Sequence, residues 1–262
     1  MNVLCVGYGK MGSVVANLIQ NNHSLNANIY VVNTKRNDIL SCNLKSFDLV
    51  CLFTKPQHTK EIIESLNINS FCNDETIFLS ILAGKNYNFV SQALGITDVK
   101  YIRAMPNLGL DVKQGITSMF FKNLSLDEQE VFIKIFKTGG EVIKVEDEDQ
   151  IDTLTACFGC GIGFGSFIFD TLEQSINTFL KQNAITNLNS QNLTKIMLNS
   201  LSTISQAGGF SFKDFSSSVA SKGGATEAGY LSLSKNDALQ NLFTSALNAA
   251  LNKSIDLKNS AS

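Results

Sequence analysis

The sequence predicts two fold classes in succession, an open α/β layer and then an all-α region. Three observations carry that expectation. Through the first half, short runs of Val, Ile, Leu and Phe alternate with polar-faced helical patterns, as a parallel sheet covered on both faces requires. A glycine string follows the first of those runs without a gap. At Glu146 the strand pattern stops, and helical periodicity takes over as far as Lys253.

In chain order, 2–7 reads as a strand, 11–22 as a helix, and 28–33 and 48–53 as strands. A helix from Gln57, a strand at 76–82, a helix from Asn86 and a strand at 98–103 follow. Residues 116–121 and 141–145 read as two more strands around a helix that starts near Leu126. The acidic run Glu146-Asp147-Glu148-Asp149 suits the positive end of a helix dipole. Beyond it, 153–180, 193–204 and 236–251 are the clearest helices, and the polar tail 252–262 is expected to fray. These readings divide the chain into domains 1–147 and 148–262.

Gly7-Tyr8-Gly9-Lys10-Met11-Gly12 is a G-x-G-x-x-G set between a strand and a helix. The first glycine permits a tight turn and the second lets backbone approach a pyrophosphate. The third lets the helix pack close to the sheet, with the anion at its N-terminus. That placement makes the first domain Rossmann-type, doubly wound and dinucleotide-binding. After the second strand stands Asn33-Thr34-Lys35-Arg36, with no acid before Asp38. An acid there would bond the adenosine ribose and repel a 2′-phosphate. NADP is therefore the expected cofactor, NADPH being preferred over NADH. Gly159, Gly161, Gly163 and Gly165 follow no strand, and read as closely crossing helices or backbone brought near a ligand.

Composition narrows the remaining classes. At 262 residues, 44% hydrophobic and 17% charged with two prolines, this is a core-forming chain. A net charge of −2 offers neither nucleic acid nor an anionic membrane a basic field, so neither is an expected partner. No apolar run reads as long enough to span a bilayer, and the opening one is too short for a secretion signal. Cys5 and Cys51 lie in apolar runs as core residues would. Cys157 and Cys160 form a C-x-x-C in a chain with only two histidines, so they read as small residues on a packed helix, and no metal is expected. A reducing, cytoplasmic location follows.

Several motifs, in this order and over nearly the whole length, resemble the pyrroline-5-carboxylate reductases. The glycine loop is like that family's opening loop. Lys55-Pro56-Gln57, preceded by Thr54, resembles its Val-Lys-Pro-Gln segment beside the cofactor. Ser80-Ile81-Leu82-Ala83-Gly84 looks like its next strand end, which also lines the cofactor. Arg103-Ala104-Met105-Pro106-Asn107 is similar to its Arg-x-Met-Pro-Asn. Ser221-Lys222-Gly223-Gly224-Ala225-Thr226 resembles its Ser-Pro-Gly-Gly-(Thr/Ala)-Thr, which holds the substrate. There are departures. Leu108-Gly109 replaces Thr-Pro, Lys222 replaces a proline, and Phe158 and Cys160 replace the hydroxyls of a Ser-Gly-Ser-Gly segment.

The resemblance implies NADPH-dependent hydride transfer to the C=N of 1-pyrroline-5-carboxylate, giving L-proline. It also implies a homodimer or larger homo-oligomer, with 148–262 as the substrate-binding and dimerisation domain. Cofactor contacts are expected at Gly7, Tyr8, Gly9, Lys10, Met11, Gly12, Asn33, Thr34, Lys35, Arg36, Thr54, Lys55, Pro56, Ala83, Gly84 and Asn107. Substrate contacts are expected at Gly223, Gly224, Ala225 and Thr226. An imine accepts hydride as its protonated iminium, so the site must supply orientation and charge more than a strong acid. Gly223 and Gly224 would offer N–H groups at a helix start to the carboxylate. Thr226 would set its hydroxyl near the ring nitrogen, a plain helix cap being its other reading. His58 reads as an exposed residue on a first helical turn rather than a general acid. Lys222 is either a partner for the carboxylate or a solvated lysine. Two alternatives stand beside this. One is another NADP-dependent imine or small-acid reductase, including the β-hydroxyacid dehydrogenases, whose lysine motif is missing around Lys181 and Lys195. The other is a non-catalytic NADP-binding regulatory paralogue.

Overall fold

The computed structural model describes residues 1–33, 46–209 and 211–259. Thr34, Lys35 and Arg36 lie outside them. The chain forms two compact units, Met1–Ile162 with Asn248–Ser262, and Gly163–Leu247. The compositional change at 147–148 therefore falls inside the first unit.

That unit is built on β1 (Asn2–Val6), α1 (Lys10–Gln20), β2 (Asn28–Val32), β3 (Leu49–Leu52), α2 (Thr59–Ser65) and β4 (Ile77–Ser80). It continues through α3 (Tyr87–Leu94), β5 (Lys100–Pro106), β6 (Gly115–Lys122), α4 (Leu126–Lys137) and β7 (Gly140–Lys144). Among the described residues the sheet order is β2-β1-β3-β4-β5-β6-β7. Alternation along each strand serves two cores. Val3 and Cys5 face Val15, Ile19 and Phe136 on α1 and α4. Leu4 and Val6 belong with Ile63, Val90 and Leu94 on α2 and α3. The sheet is thus doubly wound, as expected, and its order reverses beside β1.

The expectation of a parallel sheet needs one correction. β1 to β5 run parallel to one another, but β6 runs antiparallel to β5 and parallel to β7. Residues 107–114 are too few for the crossover that a parallel pair needs, which takes about a dozen residues or more. The antiparallel partner also carries β5 on to Pro106, because Ala104, Met105 and Pro106 pair with Met119, Ser118 and Thr117.

The helix expected over 153–180 is interrupted. α5 (Gln150–Leu154) gives way to a π-helical turn, Thr155–Gly159, before α6 (Gly161–Gln182). Cys160 N–H reaches back five residues to Thr155 O at 2.9 Å. By length and composition, the continuous stretch Gln150–Gln182 is apolar enough to cross a membrane, contrary to the expectation that no run is. No charged residue separates Asp152 from Asp170.

Further on lie α7 (Ser190–Gly208), α8 (Phe212–Val219), α9 (Ala225–Leu233) and α10 (Ala238–Asn259). α10 runs through residues 252–259 of the tail expected to fray. Ser254 is buried there, its hydroxyl donating to Asp152 Oδ1 at 2.9 Å. In the second unit, Phe167, Phe179, Phe212 and Leu242 are each at least 67% exposed.

Candidate functional site

The carboxyl ends of β1, β2 and β3 open into a cleft of about 680 Å³ in the first unit. Open α/β sheets bind ligands at such strand ends, where the strand order reverses. Gly7 and Gly9 form one wall, Asn33 the end of β2, and Thr54 and Lys55 the end of β3. Gly7 turns the chain at φ +94°, its N–H held by Val32 O at 2.7 Å. A side chain there would strike the Phe53 carbonyl. Gly9 caps α1 with ordinary backbone and open space where a Cβ would stand. That space, beside first-turn amides that have no intrahelical acceptor, is what a phosphate requires. The residues present therefore fit a dinucleotide.

The other expected cofactor residues are placed as follows. Tyr8 lines the cleft. Lys10 opens α1 at the surface, while the Met11 side chain packs on the core and Gly12 is buried against Phe53. Backbone at Met11 and Gly12 can face a ligand, while the Met11 side chain is partly taken up by the core. Lys55 caps a short 3-10 turn, Pro56–His58, that starts with the proline. Thr54 Oγ1 and Thr59 Oγ1 are 2.7 Å apart and fix this corner. Ala83 and Gly84 form a turn after β4. Asn107 is 5% exposed, and its side chain is engaged by the protein itself. It accepts from Gly109 and Ile116 N–H and donates to Phe158 O, each at 3.1 Å. These bonds leave the Asn107 side chain one further Nδ2 hydrogen with which to meet a ligand.

His58, Ile62, Ser65 and Leu66 also line the cleft, and sequence reasoning named none of them for the cofactor. The signal was available in part, since a helix directly after β3 must run past the cleft. Which of its faces turns inward was not readable. His58 is exposed, as expected.

Lys85 and Glu148 are the strongly placed charges near the β4 and β5 ends. Burial lowers the Lys85 ammonium from its ordinary value, and its Nζ lies 4.8 Å from the centre of the Phe89 ring. Burial likewise raises Glu148, against the pull of nearby Arg103.

Gly223, Gly224, Ala225 and Thr226 lie in the second unit, at the start of α9. The cap is Gly224, so the reading of Thr226 as a helix cap is corrected: it is the second helical residue, exposed. Gly223 N–H donates to Glu227 Oε2 at 2.7 Å and Gly224 N–H to Ser221 O at 2.9 Å. The two amides expected to hold a carboxylate are therefore engaged within the chain. A carboxylate already occupies the first of them, and Lys222 is exposed beside it.

Comparison with known proteins adds one family-model match, two relatives and two solved structures. A family model described as pyrroline-5-carboxylate reductase dimerisation matches residues 148–257. The chain is 27% identical over 277 residues to a pyrroline-5-carboxylate reductase of Staphylococcus epidermidis, covering 98% of each. It is 28% identical over 279 residues to that of Staphylococcus aureus, covering 99% of this chain and 98% of the other. Among solved structures, one of a pyrroline-5-carboxylate reductase from Coxiella burnetii aligns with a TM-score of 0.78 at 24% identity, over 99% of both chains. A Plasmodium falciparum pyrroline carboxylate reductase with NADP bound aligns with a TM-score of 0.79 at 21% identity, over 99% of this chain and 98% of that one.

Proposed function

We propose, from its likeness over nearly the whole length to pyrroline-5-carboxylate reductases, that this chain is an NADPH-dependent reductase of 1-pyrroline-5-carboxylate, producing L-proline. The observation that carries this reading is the glycine cradle. Gly9 leaves open space at the start of α1 inside a cleft shared with Asn33, Thr54 and Lys55. The dinucleotide, when bound, supplies the hydride. The chain's own residues bind and orient. α1 amides take the pyrophosphate, and Lys35 and Arg36 meet the 2′-phosphate with charge-assisted bonds. At α9, the amides of Ala225 to Glu227 lie in the first turn and face a substrate carboxylate, and the Thr226 hydroxyl orients the ring nitrogen.

Gly223 can join that set only if the substrate displaces Glu227. This bond is also what favours a second reading, a dinucleotide-binding protein without turnover. The exposed apolar faces of the helical unit and the family match at 148–257 support self-association. Five free thiols among the described residues suit a reducing, cytoplasmic setting.

The deciding experiment follows NADPH oxidation with 1-pyrroline-5-carboxylate. Turnover with roughly tenfold preference for NADPH over NADH in kcat/KM, lost in Arg36→Ala, is the expected result. Folded protein that binds NADPH but shows no turnover supports the second reading instead.

A further inference from the structure

The reading above assigns the loop 81–85, after β4, to the cofactor; the inference here rests on that reading and concerns what holds the loop. Gly84 has φ +68°, and a Cβ added to it would lie 2.5 Å from Cβ of Leu257. The loop backbone thus touches the end of α10, a segment 173 residues later in the chain. Leu257 does not stand alone. Ser254 and Lys258 share its face of the helix, at the spacing that puts side chains side by side.

Each of the three residues has its own anchor in the first unit. Ser254 Oγ donates to Asp152 Oδ1 at 2.9 Å, and the same oxygen accepts from Arg103 Nη2 at 2.8 Å. Lys258 pairs with Asp149. Arg103 is fully buried and lies in β5 directly beside Ser80, the last residue of β4 before the loop. Glu148 closes the other end of the loop, its carboxylate accepting Tyr87 N–H at 2.9 and 3.1 Å. Loop 81–85 is therefore bounded by α10 above Gly84, by Arg103 at its start and by Glu148 at its end.

We propose that Ser254, Leu257 and Lys258 form a positioning element for the cofactor loop 81–85. Local opening of a loop is governed by the contacts that bury it; Ile81 and Leu82 are held by the sheet's own two cores, while Gly84 is covered by the α10 contacts. Their loss frees the β4 end of the dinucleotide site while leaving the Gly7 end intact.

The test compares wild type with Ser254→Ala/Leu257→Ala in two measurements. In ligand-free protein, amide exchange at Gly84 and Lys85 is expected to rise about tenfold or more, with exchange across β1 and α1 unchanged. NADPH should bind about fivefold more weakly, while adenosine 2′,5′-bisphosphate, which lacks the nicotinamide half, binds as before. Unchanged exchange in the loop overturns the proposal. So does a rise shared by β1 and α1, or an equal loss for both ligands, since α10 would then merely support the fold. If the double variant does not fold, Ser254→Ala alone is read in the same way. A wild type that binds no NADPH sinks the cofactor reading, and the exchange result still decides whether α10 positions this loop.

Discussion

A methyl group added at Gly9 meets no atom within 4 Å, whereas one added at Gly12 would lie 2.8 Å from Cβ of Phe53. The two glycines of one motif therefore serve different ends. Gly9→Ala should cost only the N-cap preference of glycine over alanine, under about 1 kcal/mol, and weaken NADPH binding about tenfold or more, because the methyl enters the phosphate's space. Gly12→Ala should cost about 1–3 kcal/mol of stability by overpacking against Phe53. Thermal melts and NADPH titrations of both variants check this, and a stability loss at Gly9 larger than that at Gly12 contradicts it. At α9, the cap is Gly224 and the Thr226 hydroxyl has no partner among the described residues. Thr226→Ala should therefore lower kcat/KM about tenfold, about 1.4 kcal/mol, without moving the melting temperature. Glu227→Ala, which releases Gly223 N–H, should lower KM for the imino acid. A raised KM would show that Glu227 assists the substrate instead of competing with it.

The clearest local code belongs to α4. Ser125 and Glu128 form a capping box, with Glu128 Oε2 accepting Ser125 N–H at 2.7 Å, and Lys100 Nζ donates to Oε1 at 2.8 Å. Burial alone would raise the Glu128 carboxyl, but the bonds from Lys100 and Ser125 outweigh it and hold the group below its ordinary 4.5. A carboxyl whose folded value is depressed contributes stability above its unfolded value, and loses it as pH falls through the folded one. The melting-temperature gap between wild type and Glu128→Gln should therefore be widest near neutrality and close as pH drops below about 4.5. A gap independent of pH would assign the effect to packing. The π-helical turn at Thr155–Gly159 shows the opposite case, where a local pattern reading as unbroken helix yields to a distant demand. Phe158 O is claimed by Asn107, 51 residues earlier.

For the molecule as a whole, the unresolved balance of apolar surface sets the expectation. Phe164, Ile168, Leu172, Leu242 and Phe243 line a groove of about 530 Å³ in the second unit, and Phe167 beside them is 72% exposed. Exposed apolar patches of this kind mark association surfaces. Sedimentation at micromolar concentration should give at least twice the chain mass of 28.5 kDa, and Phe167→Asp should shift it toward the monomer. A wild-type monomer would remove the explanation for this face.

The strands, the glycine loop and the helix pattern beyond 146 were readable because their physics is local. A period of two or 3.6 residues and a glycine-bounded turn act within about a dozen neighbours. The parallel order of β1 to β5 followed from those periods and the helices between them. Tertiary structure alone decided the rest. It reversed β6, because the 107–114 link is short, and turned His58 and Ile62 into the cleft. It engaged Asn107 and Gly223 with partners inside the chain. It joined Ser254 to Asp152 across 102 residues, making ordered helix of a polar tail. Those outcomes depend on which surfaces meet after the chain folds, and residues far apart in sequence carry no periodic signal of their meeting.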